Sequence, residues 1–301
     1  MSYKYFMWMR DNPPRIRPYS RLRQTRDAEE SLNSLSDQDV IDLFRLDKAG
    51  IDFFVEKLSG MPYLQRKTKA GLSVKCQLLV ALKYFATGCS ISSLKDVCRF
   101  DLSVGAVVNC IRNVSRGLAE LKDSFIKFCA ETKTIVSTKE GFINYGGFPA
   151  CVGAIDGTHI QIKPPPLNEE AYVCRKGFHS INVQVVCNHN QLLTDVLVKW
   201  PGSTHDTAIW NNSSIKQLLL EHLKAAEWNG WLIGDSGYPQ RPYMMVPLAD
   251  PQSKEEIAYN NSLTKCRNTV ERTLGVLKSK FRVLERKSGG EFSMNWRQLP
   301  T

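Results

Sequence analysis

Three acidic side chains interrupt or border segments that are otherwise apolar. Asp156 lies in CVGAIDGTHIQIK, residues 151–163, whose apolar residues predict a largely buried strand. Asp235 follows the apolar run WLIG at the end of another predicted strand, and Glu271 borders the apolar stripe of a helix predicted over residues 268–287. Because an unpaired carboxylate in a buried strand costs several kcal/mol or becomes neutral, something must compensate these charges.

Divalent ions would compensate such acids and would give them a chemical role. In-line attack on a phosphodiester uses two ions about 3.5 to 4 Å apart, one at the nucleophile and one at the leaving oxygen. Hard ions such as Mg²⁺ take carboxylate oxygens, water and substrate phosphate as ligands. Acids from separate strands and one helix that converge at a sheet edge provide this ligand set. Lys278 and Arg282 follow Glu271 on the same side of the predicted helix, where cations favour phosphate. The sequence therefore indicates a phosphate-cutting site.

The elements that must position these acids follow a strand-rich pattern after residue 145. Three segments rich in β-branched residues predict neighbouring strands, namely ACVGAIDGTHIQIKP, FHSINVQVVCN and LLTDVLVKWPG. The short HNQ between the last two predicts a hairpin. STHDTAIWNNSSIKQLLLEHL predicts a helix beginning at Ser203, and GWLIGDSGYP predicts a further strand. The segment NTVERTLGVLKSKFRVLERK, with Glu271 in its first turn, predicts a helix that packs on the sheet.

The part of the chain before residue 145 has a helical pattern instead. Helices are predicted to begin after capping serines, and one of them ends at Gly88; the serines are Ser36, Ser73 and Ser103. The segments SISSLKDVCRF and LSVGAVVNCIRNVSRGLAEL have helix-turn-helix spacing. DNA contact and a purely structural helical bundle both stay open for this unit. Basic residues favour DNA contact, and the bare start of the last helix favours the bundle; the basic residues are Arg99, Arg112 and Arg116, and the bare residues are Val104, Gly105 and Ala106.

Composition restricts the class of protein. The chain has 301 residues with 43% hydrophobic content, enough for a sizeable core and two domains. A net charge of +10 predicts polyanionic partners such as nucleic acid or an anionic membrane surface. Nine cysteines without a CxxC pair indicate a reducing compartment. No signal peptide and no apolar run of about 18 residues is present, so we expect a soluble intracellular protein and no membrane partner.

Five motifs in order resemble the Harbinger-type (PIF/Harbinger) DDE transposases and the domesticated nucleases derived from them. They are AIDGTHIQI, RKGFHSINVQVVC, TDVLVKWPGSTHD, GDSGYP and VERTLGVLKSKFRVL. The resemblance covers residues from about 70 to 287. It implies an α/β fold in which a ribonuclease-H-like catalytic domain is preceded by a helical, helix-turn-helix-like domain. The expected organisation is a basic flexible arm over 1–35, the helical domain over 36–145 and a DDE nuclease domain over 146–301.

The resemblance also implies the roles of the acids. Asp156, Asp235 and Glu271 match the family's catalytic acids, and together with Asp206 of PGSTHD they would bind Mg²⁺ or Mn²⁺ and cut DNA. The implied function is therefore a metal-dependent DNA endonuclease of transposase origin.

The cations and partners of the chain are the next expectation. Arg175 and Lys176 of RKG, together with Lys278 and Arg282, are candidates for DNA contact, although RKG could equally be a solvated loop. The family implies a separate Myb-like partner protein that assists DNA binding and nuclear entry. We therefore expect DNA and a Myb-like protein as partners and a nuclear location with some protein in the cytoplasm, and a homo-oligomer stays open.

One departure from the family pattern and two alternatives stay open. Family members usually continue past the acidic helix into a helix with an LHN-type motif, whereas this chain ends in SGGEFSMNWRQLPT, so we expect a truncated C-terminal end. A catalytically silent DNA-binding or protein-interaction module is the main alternative to a nuclease. A metal-dependent phosphatase for small substrates would explain the acids but not the charge of +10.

Overall fold

The computed structural model describes residues 32–66, 71–94, 102–128, 131–225 and 229–285. The helices in chain order are α1 Asp37–Phe44, α2 Lys48–Ser59, α3 Val74–Thr87, α4 Val104–Glu120, α5 Lys122–Phe125, α6 Thr132–Gly146, α7 Asp206–Asn211, α8 Ser214–Ala225 and α9 Lys254–Lys280. The strands are β1 Cys151–Gln161, β2 Ser180–Cys187, β3 Leu193–Pro201, β4 Trp231–Ile233 and β5 Met244–Met245. Most of the predicted basic arm, the segment that carries Arg99 and the C-terminal residues after 285 lie outside the described residues.

Helices α1 to α4 share an apolar core. Phe44, Ile51, Leu58 and Leu78 are fully or almost fully buried in it. The predicted caps are confirmed, because each of the three serines accepts a backbone N–H of the first helical turn; the pairs are Ser36 with Asp39, Ser73 with Cys76 and Ser103 with Ala106. α3 also ends as predicted at Gly88, whose φ of 60° lies in the left-handed region that glycine favours.

A five-stranded mixed sheet forms the second half of the molecule, in the order β3-β2-β1-β4-β5. β1 pairs with β2 and β2 with β3 in antiparallel orientation, whereas β4 runs parallel to both β1 and β5. The predicted strands are confirmed, and the predicted hairpin closes where Asn188 N–H donates to the Leu192 carbonyl at 3.0 Å. This is the mixed α/β architecture that the resemblance implies.

Helices cover both faces of the sheet. α9 and α6 supply Val270, Leu263 and Phe142 to the core on one face. α7 and α8 supply Trp210 and Leu219 to the core on the other face. The predicted helical region 36–145 contains most of α6, yet α6 packs against β1 and α9 in the sheet half of the molecule.

The helix predicted from Ser203 is wrong in its start and in its continuity. α7 begins at Asp206, and the chain leaves the helical conformation at Asn212 before α8 begins. The reason lies in local polar competition, because Asn212 Nδ2 donates to the Ala208 carbonyl and Ser213 Oγ accepts the Lys216 N–H.

The helix predicted over residues 268–287 is also wrong in its bounds. α9 begins at Lys254, because Ser253 and Glu256 form a reciprocal capping box, and it ends at Lys280. Its first half is polar and has little apolar periodicity, so the sequence pattern did not predict that part of the helix. Glu271 therefore lies well inside α9 instead of in its first turn, and Arg282 lies in a short 3₁₀ turn after it.

The end of α9 is attached to the helical half of the molecule. Arg45 Nε donates to the Lys280 carbonyl at 3.2 Å, and Val283 packs against the core between α3 and α4. Gly88 approaches the Val283 backbone so closely that an added Cβ would lie 3.2 Å from it. Within the described ranges, no helix is long and apolar enough to cross a membrane.

Candidate active site

Asp156 sits in the middle of β1, opposite Val185 of β2, and is partly buried. The N–H of Gly157 donates to Asp156 Oδ1 at 2.8 Å. Burial raises the pKa of Asp156 to about 6, and the Gly157 hydrogen bond opposes that shift. The carboxylates of Asp235 and Asp206 raise the pKa further, whereas Arg267 lowers it. Asp156 thus lies within electrostatic reach of two other acids.

The position of Asp235 follows from the register of the parallel pair β1 and β4. Ala154 pairs with Ile233, and two residues further along each strand direction the chain reaches Asp156 and Asp235. Because adjacent strands are about 4.8 Å apart, this register places Asp235, in the turn after β4, near Asp156 of β1. Gly237 N–H donates to Asp235 Oδ1 at 2.9 Å and so holds the carboxylate in its turn.

Asp206 is the first residue of α7 and lies near Asp156 and Asp235. Asn182 Nδ2 donates to Asp206 Oδ1 and to the Thr204 carbonyl, each at 3.0 Å. A Cβ added at Gly157 would lie 2.5 Å from Asp206 Oδ1. A Cβ added at Gly237 would lie 3.0 Å from Asp235 Oδ1 and 3.7 Å from Asp206 Oδ2. The two carboxylates therefore meet at Gly237.

Sequence reasoning overlooked Asn182 and the two glycines, Gly157 and Gly237. Asn182 is buried near the start of β2, where an asparagine is uncommon, and this mismatch was the available signal. The glycines each follow a site aspartate by one or two residues. At both positions the missing side chain leaves the room that the carboxylates occupy.

Glu271 forms an ion pair with Arg267. Its Oε1 lies 2.6 Å from Arg267 Nη2, one helical turn earlier on α9, and 46% of its side chain is exposed. Arg267 is partly buried and lowers the pKa of Asp156, so its guanidinium interacts with both Glu271 and Asp156. The structure brings Asp156, Asp206 and Asp235 together and does not bring Glu271 into contact with them.

The predicted cations divide into two groups. Lys278 Nζ donates to the His159 carbonyl of β1 at 3.3 Å, and Lys176 is near enough to lower the pKa of Lys278. Arg175 is exposed next to Lys176 in the same turn. Arg282 lies beyond the end of α9, next to the residue that packs on the helical half.

Tyr238 is a further polar group beside the acids. It is 3% exposed, and its hydroxyl has no hydrogen-bond partner among the described residues. Burial raises the pKa of Tyr238, and Asp206, Asp156 and Asp235 raise it further. The phenol therefore stays protonated.

Comparison with known proteins agrees with this geometry. The model of the family described as DDE superfamily endonuclease matches residues 155–297. The rat protein "Putative nuclease HARBI1" is 30% identical over 271 residues, which cover 90% of this chain and 76% of the rat protein. The chain belongs to the Harbinger-type, transposase-derived nucleases.

Other relatives of this Harbinger-type chain lie in animals and plants. The human protein with the same name as the rat relative is 29% identical over 271 residues, which cover 90% of this chain and 76% of the human protein. "Protein ALP1-like" from Arabidopsis thaliana is 25% identical over 227 residues, which cover 71% of this chain and 54% of that protein. No solved structure matches the chain. A DDE endonuclease domain fits a ribonuclease-H-like fold, in agreement with the mixed sheet of this Harbinger-type chain.

The donor set of this Harbinger-type site has the right chemistry for a divalent metal. Asp156, Asp206 and Asp235 offer carboxylate oxygens; burial raises the pKa of Asp156, and repulsion from the other two raises it further. Mg²⁺ in enzyme sites is held by one or two carboxylates together with water and substrate phosphate. In the described part of the chain, no group of three or more His, Cys, Asp or Glu side chains is close enough to hold a metal ion.

Proposed function

We propose that this chain is a divalent-metal-dependent DNA endonuclease of transposase origin that hydrolyses phosphodiester bonds. The observation that carries the proposal is the register of β1 and β4, which aligns Asp156 with Asp235, together with Asp206 at Gly237. Asp156 comes from the middle of β1, Asp235 from the turn after β4 and Asp206 from the first residue of α7. In the reaction, the oxygen of a water molecule bonds to phosphorus, the bond between phosphorus and the leaving oxygen breaks, and the leaving oxygen takes up a proton.

Asp156, Asp206 and Asp235 would hold Mg²⁺ or Mn²⁺. When bound, the ion activates the attacking water and stabilises the leaving oxygen. Asn182 orients Asp206 through its amide, and the Gly157 and Gly237 N–H groups orient the other two carboxylates. Because the pKa of Asp156 is about 6, a proton competes with the ion for this carboxylate below that pH. Ion binding should therefore weaken as the pH falls through 6.

Glu271 is proposed as the fourth acid of the set. To bind the metal ion, Glu271 would have to give up its ion pair with Arg267. An ion pair of this exposure contributes about 0 to 1 kcal/mol, so the exchange requires little free energy. Arg267 would then be released to contact DNA phosphate.

DNA is the proposed main partner of the site. The net charge of +10 provides affinity for the phosphate backbone, with Arg175, Lys176, Lys278 and Arg282 as contact candidates. A Myb-like partner protein and a nuclear location, with some protein in the cytoplasm, are proposed from the family. The segment SISSLKDVCRF, of which residues 95–100 lie outside the described residues, and α4 are proposed as the helix-turn-helix unit, although Arg116 of α4 is already engaged with Glu120 and Tyr63. A homo-oligomer is a further proposal.

A catalytically silent DNA-binding module is the second candidate function. The observation that favours it is the Arg267 to Glu271 ion pair, which engages the proposed fourth acid with a cation of its own helix. In that case the aspartates would bind an ion or a proton without cutting DNA.

The decisive experiment is cleavage of duplex DNA by the purified chain with Mg²⁺ or Mn²⁺. Asp156→Asn, Asp235→Asn and Glu271→Gln should each abolish metal-dependent nicking. Glu255→Gln is the matched control, because Glu255 is an exposed acid in the first turn of the same helix α9. A folded parent that binds DNA and never nicks it, even with a Myb-like partner added, would establish the silent module instead.

A further inference from the structure

Three basic residues lie near one end of β1, beyond the acids, and we call them the basic corner: His159, Lys176 and Lys278. His159 follows Asp156 by three residues on β1, a distance of about 10 Å along the strand. Lys278 reaches the same point from α9, since its Nζ donates to the His159 carbonyl at 3.3 Å. The turn before β2 that carries Lys176 lies beside His159, because the rings of Phe178 and His159 are 6.4 Å apart. Lys176 lowers the pKa of both His159 and Lys278.

The backbone holds this corner in a defined shape. Gly177 N–H donates to the Cys174 carbonyl at 2.8 Å, and Cys174 N–H donates to the Phe178 carbonyl at 2.9 Å. Gly177 has a φ of 79°, which a glycine adopts without strain. This closed turn presents Lys176 at its exposed tip. His159 is held by a 3.0 Å hydrogen bond between its Nδ1 and Ser180 Oγ.

The corner concentrates positive charge in a partly buried place. Burial lowers the pKa of Lys278, Glu285 opposes that shift, and Lys176 lowers the pKa further. Burial also lowers the pKa of His159; Asp206 raises it, and Lys176 and Lys278 lower it again. Repulsion between two ammonium groups at such a site is relieved when an anion binds between them.

We propose that the basic corner binds one backbone phosphate of the DNA strand, next to the phosphate that is hydrolysed beside the aspartates. The inference rests on the proposed function, because it takes DNA as the anion. A separation of about 10 Å from Asp156 is too large for one phosphate to bridge both places, so the corner holds a neighbouring one. The exposed Lys176 tip leaves the corner open to a long polymer as well as to a small anion.

The test is the salt dependence of DNA binding, measured by fluorescence anisotropy with a mixed-sequence duplex in EDTA, so that no strand is cut. The proteins are the full chain, Lys176→Met, Lys278→Met and the double variant. Lys254→Met is the matched control, since Lys254 is exposed on the same helix about 36 Å from Lys278. Methionine keeps the aliphatic stem of lysine, and Lys176 is exposed, so Lys176→Met tests the corner even if the half-buried Lys278 proves necessary for folding.

We expect each single variant to bind DNA more weakly than the parent. One shared phosphate predicts that the double variant loses about 0.9 from the slope of log K against log salt and binds roughly fivefold more weakly at 0.15 M salt. Lys254→Met should keep the parental slope. An unchanged slope in the double variant would overturn the proposal, and so would a loss of about 1.8, which corresponds to two separate phosphates.

Nicking by the same proteins with Mn²⁺ separates this inference from the proposed function. A parent that never nicks DNA, together with a double variant that loses slope, overturns the nuclease and retains the phosphate site. A parent that nicks DNA, together with a double variant that keeps both slope and affinity, overturns the phosphate site alone.

Discussion

The strand side and the helix side of the site hold their acids by different means. On the strand side, backbone register and backbone N–H groups position Asp156 and Asp235, and Asn182 positions Asp206. On the helix side, Glu271 is exposed and is positioned by one ion pair with Arg267. The comparison teaches that the aspartates are preorganised by the sheet, whereas the place of Glu271 depends on a weak and replaceable contact.

The largest effect is expected from Gly157→Ala, which breaks the strand side directly. The new Cβ would lie 2.5 Å from Asp206 Oδ1, so Asp206 must move out of the place that Asn182 holds. We expect cleavage to fall about 100-fold, because small displacements of reacting groups cost that much. Overpacking should also lower the free energy of unfolding by about 1 to 3 kcal/mol, measured by urea denaturation.

Gly105→Ala is the matched control for that substitution. Gly105 lies in α4, and nothing lies within 4 Å of the position that a Cβ would take there. Alanine should stabilise this helical position by about 0.5 to 1 kcal/mol and leave nicking unchanged. If Gly157→Ala cuts DNA as well as the parent does, the packing of Asp206 over Gly157 has no role in the site.

The next effect concerns the free energy of unfolding that is lost because the carboxylate of Asp156 is ionised in a partly buried place. The folded-state pKa of Asp156, about 6, lies above the ordinary value of 3.8, so the folded state binds this proton more tightly than the unfolded state. The ionised carboxylate therefore lowers stability above pH 6 by roughly 3 kcal/mol, and the penalty disappears as the pH falls below 4. Asp156→Asn should be more stable than the parent at pH 7.5 and equal to it near pH 3.5.

Thermal unfolding of both proteins from pH 3.5 to 8 in EDTA measures this difference. Adding Mn²⁺ at pH 7.5 should then raise the melting temperature of the parent and leave that of Asp156→Asn almost unchanged. Equal stability of the two proteins at all pH values would show that Asp156 carries no buried charge.

The smallest effect on stability is expected on the helix side, from Arg267→Gln. This substitution removes a partly exposed ion pair and should change the free energy of unfolding by about 1 kcal/mol or less. If Glu271 joins the metal set, its release should lower the Mn²⁺ concentration that gives half of the thermal stabilisation. Glu271→Gln in the same background should cancel that gain. A gain that persists in the double variant would place Glu271 outside the metal set.

Much of the fold was predictable because local chemistry specified it. The capping serines, the end of α3 at Gly88 and the first three strands follow from side-chain propensities within a few residues. The start of α9 was not predicted, because a polar helix surface has no apolar periodicity and its capping box was overlooked. The break at Asn212 was not predicted either, because a single side chain that hydrogen-bonds to the helix backbone is a weak signal in the sequence.

By itself the sequence determined the candidate acids, because charged residues in apolar segments and the order of five motifs are visible along the chain. The tertiary structure alone decided which acids meet. The parallel register of β1 and β4 aligns Asp156 with Asp235, and the space left by Gly157 and Gly237 admits Asp206. The ion pair between Glu271 and Arg267 is likewise visible only in the tertiary structure. Contacts between residues that are far apart in the chain depend on packing, and packing is a property of the whole fold.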